Sequence, residues 1–313
     1  IGSFDRFNWF TKHTSKLSIP EEGDLENEIN KTKEIIRNLY KYEDVNLSDT
    51  QKSTKKIAIF DYENNLKELQ DFPYHDYPLN QIGGIHLNTI EFMSDMHPVR
   101  NKNEANDFIK RVDLIKEVYE GIATELEKQS EAGIFPPEFV YVRVIEQLNE
   151  FINYSYNEHP LYNQFNKKVL LLNLSEEEEE FFKNAIKNSI DKSVTPGFKI
   201  LRAFMLKTQK NANKNHGVWS QPNGDEFYKL RIRTFTTTDY SPEEIHQMGL
   251  DEVERISTRM KEILSSLGYD EKKSVGELMN QLNEDPDFLY ADTPDRKQIV
   301  VNDYTEMVNL SLI

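Results

Sequence analysis

No cysteine occurs anywhere in the chain, which excludes a disulfide framework, a thiolate metal site and a cysteine nucleophile and leaves the redox compartment open. Long apolar runs are missing too. Nothing approaches the roughly 18 consecutive apolar residues of a membrane-spanning helix, so no transmembrane segment is expected. Positive charge is scarce: 38 Lys and Arg stand against 54 Asp and Glu, a formal net charge of −16. Such a surface repels a phosphate backbone or an anionic bilayer, and no nucleic-acid partner is expected. Position 1 is Ile rather than Met, and no basic start leads into an apolar stretch. We expect from this that an initiator, a signal segment or a longer N-terminus has been removed.

Catalytic signatures are absent as well. None of the 7 histidines begins H-E-x-x-H, and no two stand four residues apart, the spacing that brings two imidazoles to one metal on a helix. His75 and His86 flank a Gly-Gly turn and could approach each other, whereas His246, behind Glu243 and Glu244, suits a solvated or capping role. There is no G-x-S-x-G, no phosphate loop and no G-x-G-x-x-G; Ser189-Ile190-Asp191-Lys192 fits S-x-x-K but lacks its companion motifs. In so acidic a chain paired carboxylates arise by chance and identify no glycosidase. No catalytic residue, no metal ligand and no cofactor is therefore assigned to these 313 residues.

What the chain does contain is helical periodicity, with apolar residues recurring three and four apart through most of its length. The fold class expected is mainly α, an elongated multi-helix body in a single domain over residues 1–313. An aromatic stripe, Phe4, Phe7, Trp9 and Phe10, suits a helix docked on that body. Asp24 to Tyr42 and Ser48 to Leu69 read as a pair of antiparallel amphipathic helices. Phe72 to Ile85, with Pro73, Pro78, Gly83 and Gly84, reads as a surface connection or a wall. One long helix is expected from about Glu104 to Ala132, then Gly133 and Pro136-Pro137 before another from about Glu138 to Ile152. Ser175 with Glu178, Ser241 with Glu244 and Ser274 with Glu277 are capping boxes, so the Glu176–Glu180 run is a solvated helix start. Pro196-Gly197 is expected to end the helix begun there, with another over Phe198 to Leu206.

One stretch changes period. Tyr228, Leu230, Ile232 and Thr234 alternate with Lys229, Arg231, Arg233 and Phe235, behind the turn-forming Pro222-Asn223-Gly224-Asp225. This predicts a small β-hairpin inserted around residues 217–236. Its cations either pair with nearby carboxylates or line a cleft that receives an anionic group.

The segment from Gly217 to Tyr228 and the block Thr236-Thr-Thr-Asp-Tyr-Ser-Pro-Glu-Glu-Ile-His-Gln-Met-Gly-Leu-Asp-Glu-Val253 resemble the family known as domain of unknown function 885. The Gly133 to Val140 turn, the Asn80-Gln81-x-Gly83 segment and His97-Pro98 agree with it, so the resemblance spans about Pro78 to Phe288. It implies a mostly helical relative of zinc metallopeptidases, exported and sometimes lipid-anchored, whose H-E-x-x-H helix lies C-terminal to the quoted block. The sequence stops at Ile313, before that helix would appear. The resemblance thus implies zinc in a full-length parent only, with this portion forming a wall of a peptide-binding cleft. Trp219, Tyr228, Arg231 and Arg233 are the substrate-binding candidates, holding an extended peptide along the exposed strand edge. The alternative is a noncatalytic helical binding or scaffold protein, an exported lipoprotein. The apolar segment Val300 to Ile313 is expected to be exposed and to promote self-association.

Overall fold

The computed structural model describes residues 15–311; the aromatic stripe of Phe4 to Phe10 lies outside them. The described chain is mainly helical and falls into two compact units divided between Thr238 and Asp239. No helix among the described residues is long and apolar enough to cross a membrane.

The first unit opens with an extended strap over residues 16–20. It is held where Arg111 Nε donates to Lys16 O at 2.9 Å and where Leu17 and Ile19 pack on the core. Helices α1 (Asp24–Tyr40) and α2 (Asp49–Asp71) follow and pack on each other, α2 behind a capping box of Ser48 and Gln51. The loop to α3 (Ile85–Glu91) is more than a surface connection, because Leu79 is fully buried in it and three glutamine side chains satisfy its carbonyls. Gln129 donates to Tyr74 O and Asp76 O, both at 2.6 Å, Gln147 to Gln81 O at 3.0 Å, and Gln221 to His75 O at 3.5 Å and to the Tyr77 hydroxyl. A buried loop must have its polar backbone satisfied in this way.

The expected single helix over Glu104 to Ala132 is two, α4 (Lys102–Asp113) and α5 (Ile115–Glu131), interrupted at Leu114. Ser193, from a distant part of the chain, serves both broken ends: its Oγ donates to Asp113 O at 2.8 Å and accepts from Lys116 N at 3.0 Å. Helices α6 (Glu138–Asn153), α7 (Pro160–Leu170) and α8 (Glu176–Ser189) follow, α8 starting at the predicted Ser175–Glu178 capping box. Pro196-Gly197 does not end this helical run. A π-helical turn over Ile190–Val194 shifts the register, and α9 (Thr195–Thr208) takes Pro196 in its first turn, where the missing N–H costs least.

Helix α9 packs against both α5 and α6. Gly197 sets its approach to α5, because a Cβ there would lie 3.0 Å from Tyr119 Cδ2 and 3.3 Å from Lys116 Cα. Around this seam the core is aromatic: Phe108 stacks on Phe165 at 4.6 Å, and Tyr119 meets Phe198 edge to face at 5.5 Å.

The predicted hairpin is overturned. Residues 218–220 form a single 3₁₀ turn and Gly224–Thr236 is a helix, α10; no strand occurs among the described residues. The alternation from Tyr228 onward is real as sequence, but Gly224, Phe227 and Leu230 are the buried positions, and three-residue spacing is helical. Pro222 to Asp225 is accordingly the helix start, with Asn223 left-handed at φ 54° as the N-cap, rather than a hairpin turn.

The second unit holds α11 (Pro242–Ser266), α12 (Val275–Glu284) and α13 (Arg296–Ser311). Both predicted capping boxes, Ser241–Glu244 and Ser274–Glu277, are in place. Among its described residues the buried apolar side chains are Leu264 and Leu278. Residues 301–311 are exposed throughout.

Candidate functional site

Within the first unit, the strap, α1, α2, the 73–78 loop and α5 enclose an open cavity of about 650 Å³. Its construction starts at Gly121 of α5, where a Cβ would stand 2.8 Å from Pro20 O, so only glycine lets the strap cross that closely. Gly23, at φ 92°, then turns the chain into α1, and Asp24 Oδ2 accepts from Glu21 N at 2.8 Å. The apolar wall combines Pro20, Pro73 and Pro78 with Tyr62 and Tyr74, and with Leu25 and Ile35 of α1. Tyr74 is fixed through its own carbonyl by Gln129 of α5.

Five carboxylates line the same space, Glu21, Asp24, Glu26, Glu28 and Glu125, against two cations, Lys31 and Lys128. Lys128 is committed to Glu125, with Nζ and Oε1 2.8 Å apart. The lining is therefore net negative and includes two tyrosines, which suits a cationic, partly apolar ligand. It contains no serine or histidine, so no nucleophile and imidazole base face each other across it. In sequence most of these residues belong to two amphipathic helices and a loop. Pro73 and Pro78, within the segment read as a surface connection or a wall, are the part of this lining that the sequence signals.

The structure places the four residues nominated from the sequence on the 218–220 turn and α10. Trp219 and Tyr228 are well exposed, at 62% and 47%. Arg231 and Arg233 flank the buried seam of Phe227 and Leu230, one on each side, and both reach α2. Arg231 Nη1 pairs with Glu68 Oε1 at 3.0 Å and lies over Phe235 at 5.0 Å. Arg233 Nε donates to Asn64 Oδ1 at 3.1 Å and lies over the Phe60 ring at 5.0 Å. With no strand edge in this region, the strand-addition mode of peptide binding has no backbone to use.

The residues present do not fit the zinc centre that the sequence resemblance implies for a parent protein. Among the described residues no three His, Asp or Glu side chains converge into a metal-binding group. The buried histidines are engaged one by one. His75 Nε2 meets Pro222 O at 2.7 Å, His86 Nε2 meets Gln147 Oε1 at 3.0 Å, and His97 Nδ1 meets Pro98 O at 2.9 Å. His159 Nδ1 accepts from Leu161 N at 3.2 Å and caps α7, leaving a buried Nε2 with no partner among the described residues. Burial pushes the His159 imidazole down to about 4, and lowers His86 against the opposing pull of Gln147.

The family model described as "Bacterial protein of unknown function (DUF885)" matches residues 7–310. Among solved structures, the chain is similar to the putative lipoprotein from Colwellia psychrerythraea, at 24% identity and a TM-score of 0.83 over 95% of this chain and 52% of that one. It is also similar to a putative lipoprotein of unknown function from Shewanella oneidensis, at 15% identity and a TM-score of 0.61 over 98% of this chain and 54% of that one. The chain thus spans about half the length of the solved proteins it matches. No curated protein matches it. The chain belongs to the DUF885 family.

Proposed function

We propose that this member of the DUF885 family is the noncatalytic helical binding portion of an exported, lipid-anchored protein, and that its ligand is a basic peptide segment. The observation that carries the binding role is the 650 Å³ cavity of the first unit, with tyrosine and proline walls and five carboxylates against two lysines. A lysine or arginine side chain entering it would lie against the Tyr62 and Tyr74 faces while its charge meets Glu21 or Glu28, each contact strengthening the other. The exported, lipid-anchored address is supported by the names of the two solved proteins alone.

Calorimetric titration of the 313-residue chain with a Lys/Arg-rich peptide and its Asp/Glu-rich counterpart tests the reading. Saturable binding of the basic peptide, weakened about five- to tenfold by Tyr62→Ala or Glu28→Gln, is expected. Equal binding of both peptides, or insensitivity to both variants, would remove the cavity from the account. Palmitate labelling and membrane fractionation of the gene product in its own cells check the address.

The zinc-peptidase reading rests on the sequence resemblance. Stoichiometric, chelator-removable zinc together with peptide hydrolysis by the gene product would restore it, as the work of residues other than those described above.

A further inference from the structure

We propose that the second unit is a docking surface, and that the exposed apolar faces of α11 and α13 seat a helical polypeptide layer corresponding to the half of the two solved proteins that lies outside the match. The inference is independent of what occupies the cavity of the first unit. Three observations carry it.

The first is the α11 stripe. Val253, Ile256, Met260, Ile263 and Leu267 follow one another at steps of three and four, which places them on a single face roughly 20 Å long. Val253, Ile256, Ile263 and Leu267 are exposed, and Met260 is half-buried. A regular stripe of this kind forms one side of a helix–helix seam.

The second is α13. Its apolar residues, from Ile299 and Val301 through Tyr304 and Met307 to Val308 and Leu310, spread over roughly 200° of the helix circumference at 100° per residue. Asp303 and Ser311 interrupt that arc, but its apolar side chains are still the kind that a neighbouring helix covers, and no described residue of α13 is buried. Leu264 and Leu278 are the only buried apolar side chains of residues 239–311. Two leucines cannot offset the conformational entropy of ordering so many residues, so a covering layer has to supply the rest.

The third is the length of the similar proteins. A 95% match extends well past the 238 residues of the first unit, so the fold of the second unit recurs in a protein of about twice the length. That longer chain holds as much additional polypeptide again as the part matched. An apolar, ridge-forming helical layer is the complement that α11 and α13 require.

The test places a photo-crosslinking phenylalanine analogue at Ile256, and separately at Tyr304, in the gene product expressed in its own cells, with the crosslinked peptides identified by mass spectrometry. Crosslinks to peptides that belong to the family but lie outside residues 1–313 are expected. Crosslinks to residues 15–238, to residues 239–311 of a second copy or to lipid would each overturn the proposal, and so would a reagent that reacts only with water. Hydrogen exchange on the purified 313-residue chain supplies a second measure that needs no substitution. Amides of α11 and α13 should exchange at least about 100-fold faster than those of α5 and α9. Equal protection in this chain would show that the second unit needs no covering layer, and would overturn the inference.

Discussion

Residues 15–238 and residues 239–311 use the same local chemistry to start their helices and end in opposite states of burial. Ser175 with Glu178 in the first unit and Ser241 with Glu244 in the second make the same reciprocal capping box. In the first unit the helices so launched bury a continuous aromatic and aliphatic core. In the second, α11 has one buried residue, Leu264, and α13 none among those described. Helix formation and core formation are thus separate problems. Capping and periodicity settle the first within a few residues, and the second needs a partner surface.

The largest effect expected to sharpen this contrast is Phe198→Ala, which empties a site between Tyr119 and Phe151 and should cost about 3–5 kcal/mol. Leu264→Ala should leave the same cooperative transition unmoved. Urea denaturation followed by circular dichroism measures both, and an equal loss from the two would merge the units energetically.

Next is pH. Neutral His159 is the native form down to about pH 4, whereas the unfolded imidazole takes up a proton below its ordinary 6.5. The unfolded state therefore binds more protons between those values, so stability is full above pH 6.5 and falls as the pH drops to about 4. A displacement of this size corresponds to at most about 3 kcal/mol. His86, also lowered by burial, adds to the slope in the same direction. His159→Asn, which keeps a helix cap, should flatten the dependence measured by denaturant titration across that range.

Ser193→Ala strips Asp113 O and Lys116 N of their shared partner and should cost about 1–3 kcal/mol in the same transition. Smaller again, Ser175→Ala should lower the first unit's stability by about 1 kcal/mol. Ser241→Ala should reduce only the helical signal of α11 and leave that transition in place. Among the changes that move the first unit's transition, the smallest is expected from Arg231→Ala, about 0.5–1 kcal/mol, because the Glu68 pair is partly exposed.

Local sequence signals are clearer in the second unit than at α10. Both of its capping boxes follow from spacing alone. In α10 the alternation of Tyr228, Leu230, Ile232 and Thr234 has β-like composition, and the pull of Phe227 and Leu230 toward Phe72 outweighs it. The cavity was illegible for a similar reason. Its walls come from residues near 20, 62, 74 and 125, which only packing brings together.

By itself the sequence determined that this chain is helical, where most of its helices begin, and that it is acidic and free of cysteine, because propensity, capping and charge act over a few residues. Only the tertiary structure decided that Ser193 bonds both ends of the α4–α5 break, that three glutamines tie down the carbonyls of the 73–84 loop, and that Arg231 and Arg233 brace α10 against α2. Those outcomes depend on groups tens to more than a hundred residues apart satisfying one another's hydrogen bonds and burying one another's surfaces, a condition no local pattern records.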